Sequence, residues 1–333
     1  MRHLLMTTGL ILGMATQATA ELRLADVQTW MYQLQDLYEP ASWDVLAETS
    51  YDMLVVEPGQ NFTDWPYHTA AMVARLRHKP DGSERLLLAY VDIGQAEDYR
   101  DYWADDWRAP EHGQRGTPDF LVTPDPDGWS GNYPVAYWDP RWQGLWLGTD
   151  GIVADLARLG FDGIYLDWVE AYDDEAVIAA ADAAGLAAGA EMIAFVERLG
   201  AAGREVRPGF RVVAQNAIYL LDEAPGRYLR AIDALAVEDT WFHGYGDSDW
   251  DDPDGGDQRD RHDDDYSTDA RLHQIAKYVE AGVPVFSIDY ALEPDNVALV
   301  YDQAPRHSLV PLVSRVALSL LTETPPPGLA PAQ

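Results

Sequence analysis

The sequence predicts a single α/β domain folded as a (β/α)8 TIM-type barrel. About eight apolar segments of strand length alternate with helix-like segments from Thr29 almost to the end of the chain, which is the arithmetic of that barrel. A doubly wound open sheet would carry a glycine-rich phosphate turn after an early strand, and Pro58-Gly59 is only a turn. No repeat or linker divides residues 21–320, so one barrel is expected rather than two domains.

The first strand is TWMYQLQ, residues 29–35, followed by the helical stretch ASWDVLAET. YDMLVVEPG at 51–59 is the second, and a helix around Ala70 to Arg77 leads to LLLAYVDIGQ at 86–95. The helical repeat GIVADLARLG places Ile152, Val153, Leu156 and Leu159 on one face and precedes the fourth strand, GFDGIYLDW at 160–168. An Ala-rich helix ending near Leu199 leads to RVVAQNA at 211–217, then IDALAVEDTWF at 232–242, PVFSIDY at 284–290 and LVPLVSRV at 309–316. Two long loops interrupt this order. Residues 98–145, after strand three, are rich in aromatics, proline and glycine, and residues 244–269, after strand six, are rich in aspartate. Both are expected at the C-terminal face of the barrel, where active sites of this fold sit.

The flanks differ from the barrel. Arg2 and His3, the apolar run LLMTTGLILGMA and the sequence Ala18-Thr19-Ala20 form the pattern of a secretory signal peptide over residues 1–20. A secreted or periplasmic protein is therefore expected, with no membrane span after cleavage. Residues 321–333 are proline-rich and are expected to be a loose tail.

Hydrophobic content of 47% and twelve tryptophans supply a large core, which excludes a disordered chain. The 56 acidic residues against 23 basic give a formal net charge of −33. Such a surface repels nucleic acid and anionic membranes and favours cationic partners. With no cysteine there is neither disulfide nor thiolate chemistry.

Polar residues stand where the strands end: Gln33 and Gln35, Glu57, Asp92, Asp167, Gln215 with Asn216, Glu238 with Asp239, and Asp289. A strand of a parallel barrel is buried on both sides, so each of these groups needs a partner or a task. One such acid caps a helix as readily as it catalyses, but several would converge on one mouth. Together with Trp30, Trp168, Trp241, Tyr32 and Tyr290 they describe a sugar-cleaving site, where two carboxyl groups act and aromatic faces hold the rings. Other chemistries lack their motifs: there is no G-x-S-x-G elbow and no H-E-x-x-H. The loop Asp247-x-Asp249-x-Asp251 has Asp252 where a calcium loop needs glycine. No metal or cofactor is expected.

The segments AYVDIGQAEDYRDYW, GFDGIYLDWVEAY, VVAQNAIYLL, IDALAVEDTWF and VFSIDY resemble, in order, glycoside hydrolase family 114, the endo-α-1,4-polygalactosaminidases and relatives once labelled cysteinyl-tRNA synthetase-related. The likeness runs from about Trp30 to Val313, with Gln95 where the family usually has glutamate. It implies a TIM-like barrel that hydrolyses α-1,4-linked galactosamine polymers, with catalytic roles for Asp167 and Glu238. By analogy with retaining α-galactosidase barrels, Asp167 is expected to be the nucleophile and Glu238 the acid/base, its pKa raised by burial or a like charge. Substrate contacts are expected from Tyr32, Gln33, Glu57, Asp92, Trp168, Asn216, Trp241, Asp289 and Tyr290. Of these, Glu57, Asp92 and Asp289 are candidates either for pairing with substrate ammonium groups or for holding the barrel mouth by hydrogen bonds. A glycosidase of a neutral α-galactoside, or a carbohydrate-binding barrel without turnover, are the alternatives.

Overall fold

The computed structural model describes residues 22–59, 66–246, 248–259 and 266–329. The proposed signal peptide, residues 1–20, lies outside them, as does Asp247. Eight strands form one sheet: β1 (Trp30–Gln33), β2 (Met53–Val56), β3 (Leu86–Asp92), β4 (Gly163–Asp167), β5 (Arg211–Gln215), β6 (Ala234–Glu238), β7 (Val285–Tyr290) and β8 (Leu309–Ser314). Each pairs in parallel with its neighbour in chain order. The sheet curls into a nearly closed barrel, and the Trp30 indole on β1 donates to the Val310 carbonyl on β8 at 3.0 Å across the seam.

Helices occupy the crossovers: α1 (Pro40–Ala47), α2 (Pro66–Leu76), α3 (Pro140–Trp146), α4 (Ile152–Leu159), α5 (Glu175–Ala184), α6 (Ala188–Val206), α7 (Leu220–Glu223), α8 (Pro225–Ala231), α9 (Thr268–Glu280) and α10 (Pro294–Gln303). Helix α4 buries Ile152, Val153 and Leu156 of the expected face, with Leu159 partly buried, and stops at Gly160, whose φ of +104° suits a residue without Cβ. The Ala-rich stretch is two helices rather than one. Gly185, at φ +72°, ends α5, α6 leaves at 92° to it, and α6 runs on to Val206. No single described helix is long and apolar enough to cross a membrane.

Register decides which side chains enter the barrel, because successive residues of a strand point to opposite faces. Tyr90 pairs with Tyr165, Asp92 with Asp167, and Ile288 with Glu238. Trp30, Tyr32, Tyr90, Tyr165 and Phe286 fill the interior, with ring centroids 5.1 to 6.4 Å apart. At the opposite end from the carboxylates of β3, β4 and β6, buried Asp162 bridges Arg77 and Arg207 and accepts from the Leu87 amide.

The long insertions are ordered where described. Residues 95–97 and 132–134 form a short antiparallel ribbon, and Tyr102, Trp103, Trp107, Phe120 and Trp142 pack behind it. The second insertion is tied by a ribbon between Phe242–His243 and Gln258–Arg259. Part of the expected loose tail is anchored instead. The Thr322 hydroxyl donates to the Val313 carbonyl at 2.6 Å, and the Tyr301 hydroxyl donates to the Thr324 carbonyl at 2.6 Å. A threonine hydroxyl can fasten a segment that proline keeps out of regular structure.

Candidate active site

The C-terminal mouth of the barrel opens into a cavity of about 1280 Å³. Twelve of its lining residues are aspartate or glutamate, and among the described lining residues one, Arg100, is basic. That guanidinium lies between Glu57, which accepts two bonds of 3.0 Å, and Glu97, which accepts bonds of 2.7 and 3.0 Å. The lining is thus strongly negative, and low-dielectric walls focus such a field.

Asp167 closes β4 on the cavity floor. The Tyr90 hydroxyl donates to its Oδ2 at 2.6 Å and the Trp168 amide to its Oδ1 at 2.8 Å. Burial, and then the charge of Glu238, raise its pKa to about 6 against the pull of those two donors. Glu238 closes β6. Its Oε1 accepts from the Gln215 and Asn216 side-chain amides at 2.5 and 2.8 Å, and its Oε2 accepts from the Tyr290 hydroxyl at 2.7 Å. The Asn216 side-chain Oδ1 in turn accepts from the Glu238 backbone amide at 3.0 Å. Both carboxylates are therefore held in fixed orientation by side chains of neighbouring strands.

The backbone turns sharply beside them. Trp168, Asn216 and Asp239 each follow the last residue of their strand, and their φ values are 53°, 57° and 58°. Non-glycine residues adopt this left-handed region rarely and at a cost of about 1–3 kcal/mol each. Three in the same place around one mouth mark strain concentrated at this end of the barrel. Gly94, in the IGQAE segment, has a related purpose. A Cβ there would collide with the Trp168 carbonyl, so glycine lets the turn after β4 rest on the chain after β3.

Eight of the eleven expected site residues line this cavity: Asp167, Glu238, Tyr32, Glu57, Asp92, Trp168, Asn216 and Tyr290. Two of them, Glu57 and Asp92, make contacts of the second kind left open for them, hydrogen bonds within the barrel mouth. Glu57 is occupied by Arg100, which corresponds to holding the mouth together. Asp92 is buried, and its Oδ1 accepts from the Gly94 and Gln95 amides at 3.0 and 2.8 Å. Burial, with Glu97 and Asp167 nearby, pushes its carboxyl well above the usual range.

Gln33, Trp241 and Asp289 do not line the cavity, and the expectation of substrate contact is corrected for them. Tyr32 and Tyr290 line it, so their strand neighbours Gln33 and Asp289 face the other way. Gln33 donates to the Ser319 carbonyl at 2.8 Å. Asp289 is fully buried, and its Oδ1 accepts from the Trp241 and Phe242 amides at 2.6 and 2.9 Å. It fastens the loop after β6, and Trp241 packs near His307. Burial raises the Asp289 pKa to about 6 despite those amides. A carboxyl raised from its usual value of about 3.8 to about 6 holds its proton more tightly in the folded chain. It favours folding fully at low pH, and that contribution is lost as pH rises through 6, a cost on the order of 3 kcal/mol. Asp289→Asn is expected to flatten the pH dependence of the melting temperature between pH 4 and pH 7, measured by thermal unfolding in a series of buffers; an unchanged slope would contradict it.

Several cavity residues are not among those the strand ends indicate. Tyr90, two residues before Asp92, supplies the bond to Asp167 and was legible as the inward neighbour of Asp92. Glu170 lies on the short 3-10 turn Val169–Asp173 and lines the floor. Half-exposed Trp129, from the first insertion, packs over Gly246 of the second, and with Tyr38, Trp250 and Tyr266 it sets aromatic faces around the rim.

A family model described as glycoside-hydrolase family GH114 matches residues 13–325. An uncharacterized protein of Deinococcus radiodurans is 32% identical over 300 residues, covering 90% of this chain and 83% of its own. The glycoside hydrolase domain of PelA from Pseudomonas aeruginosa is 17% identical with a TM-score of 0.57, covering 89% of this chain and 98% of that domain. Ega3 of Aspergillus fumigatus, solved in complex with galactosamine, is 15% identical with a TM-score of 0.59, covering 93% of this chain and 99% of that one. Those two structures share the barrel.

Proposed function

The chain belongs to glycoside hydrolase family GH114, and on that premise we propose that it is an exported endo-glycosidase hydrolysing α-1,4-linked, galactosamine-containing polysaccharide with Asp167 and Glu238. The observation that carries this reading is the pair itself: two oriented carboxylates at strand ends on the floor of an acid-lined cavity. The complex of Ega3 with galactosamine supports the choice of sugar. So does the lining charge, since unacetylated galactosamine units are ammonium ions near neutral pH and an acid-lined mouth attracts them.

In the proposed reaction Asp167 attacks the anomeric carbon while Glu238 gives its proton to the departing O4, breaking the C1–O4 bond. Glu238 then takes a proton from water, whose oxygen displaces Asp167 from the anomeric carbon. One water is consumed per bond, and both carboxyl groups return to their starting states. The Tyr90 and Trp168 donors to Asp167 keep its oxygens aimed, and Gln215, Asn216 and Tyr290 do the same for Glu238. The aromatic rim is suited to stacking on sugar rings beyond the cleaved bond.

Mass spectrometry of products tests the reading. The mature protein is expected to release short galactosamine oligomers from partly deacetylated α-1,4-galactosaminan, and Asp167→Asn to release none. Preference for a fully N-acetylated or neutral α-galactoside polymer would overturn the amino-sugar assignment while leaving the hydrolase.

A further inference from the structure

Each carboxylate of the cavity floor named so far is already engaged by the protein. Glu57 and Glu97 hold Arg100, Asp92 accepts backbone amides, Asp167 has Tyr90 and Trp168, and Glu238 has Gln215, Asn216 and Tyr290. Glu170 differs. It sits three residues beyond Asp167 on the 3-10 turn and lines the same cavity half-buried, and among the described residues its side chain is met only by its own backbone amide, with no hydrogen bond from another residue. Its position is fixed from below, because the turn that carries it rests on Gly94 and is buried at Val169 and Ala171.

A carboxyl group in this position is costly without a partner, since burial and then the charges of Asp167 and Glu238 push its pKa well up. Arg271 on α9 opposes that shift from a distance, while its guanidinium donates to the Glu238 backbone carbonyl. A cation entering the cavity supplies what Glu170 lacks: a donor from another group and a positive charge between it and Asp167. An acetamido group offers one neutral N–H and a bulky acyl group in the same place. From this geometry we infer that Glu170 binds the ammonium group of an unacetylated amino sugar beside Asp167 and is the residue that discriminates it from the N-acetylated unit. This rests on the amino-sugar reading above and names the residue that reads the amino group.

Binding rather than turnover separates the two. In an Asp167→Asn background, which binds without cleaving, calorimetry at pH 7 compares an α-1,4-galactosamine oligomer with its fully N-acetylated counterpart. Adding Glu170→Gln is expected to weaken the amino oligomer about 10- to 100-fold, the worth of one charge-assisted hydrogen bond, with the acetylated oligomer unchanged. Glu170→Asp is expected to restore part of the discrimination, because it restores the charge. Equal weakening of both oligomers, or no change in either, would overturn the role of Glu170 and leave the amino-sugar reading intact if the parent prefers the amino oligomer. A parent that binds neither oligomer, or prefers the acetylated one, would overturn both.

Discussion

Asp167→Asn and Glu238→Gln are each expected to lower kcat on deacetylated galactosaminan by about 10³-fold or more, with little change in KM and with the fold retained at pH 7. The nucleophile has no substitute in the cavity at the same strand end, and an amide cannot form the glycosyl ester. Loss of the acid is less absolute, since general acid–base assistance contributes about 10²–10⁴-fold. A substrate with a good leaving group needs little protonation, so it should rescue the first step of Glu238→Gln and not that of Asp167→Asn. Burial holds the Asp167 pKa at about 6, so wild-type kcat/KM should rise with pH through about 6 as Asp167 ionises. Steady-state kinetics from pH 4 to pH 8 measures it, and a rate that does not fall below pH 6 would detach Asp167 from the nucleophilic role.

Arg100→Met is expected to cost about 3–5 kcal/mol of stability, the range for breaking a buried ion pair from one side. Arg100 and Glu97 are both buried, and Glu57 nearly so. Without the guanidinium two carboxylates face each other in the wall with no counter-charge, and they must protonate or draw in water. Because a domain of this kind is stable by only about 5–15 kcal/mol, the loss should be plain in urea unfolding. The triple variant Arg100→Met, Glu57→Gln, Glu97→Gln removes the stranded charges as well and is expected to recover much of it. Failure of the triple variant to recover would assign the loss to packing of the Arg100 side chain. The triad also ties the first insertion to the end of β2, since Glu57 follows β2 while Glu97 immediately precedes residues 98–145 and Arg100 lies within them. A lower kcat/KM in Arg100→Met beside that loss would show that this tie shapes the cavity.

The barrel was legible in the sequence because it depends on local signals. Eight apolar segments of strand length, each followed by a helix-like one, admit few other architectures, and the helix over residues 152–159 even announces its ends with Gly151 and Gly160. The two acids at the ends of β4 and β6 were legible for the same reason: a carboxylate closing a buried strand stands out against its neighbours. Tertiary structure decided what alternation and pairing control. Asp289 and Glu238 look alike as strand-end acids, but pairing of Glu238 with Ile288 turns Asp289 to the outside of the barrel, where it ties a loop. Glu57 looked available to substrate until the fold placed Arg100, forty-three residues further on, against it. Glu170 carried no strand-end signal, because it reaches the floor through a 3-10 turn packed on Gly94. A sequence lists the groups along one chain and shows where each local run begins and ends. Which carboxylates remain free for a ligand depends on partners that only folding brings near, and on the strand face each occupies, since a shift of one residue reverses it.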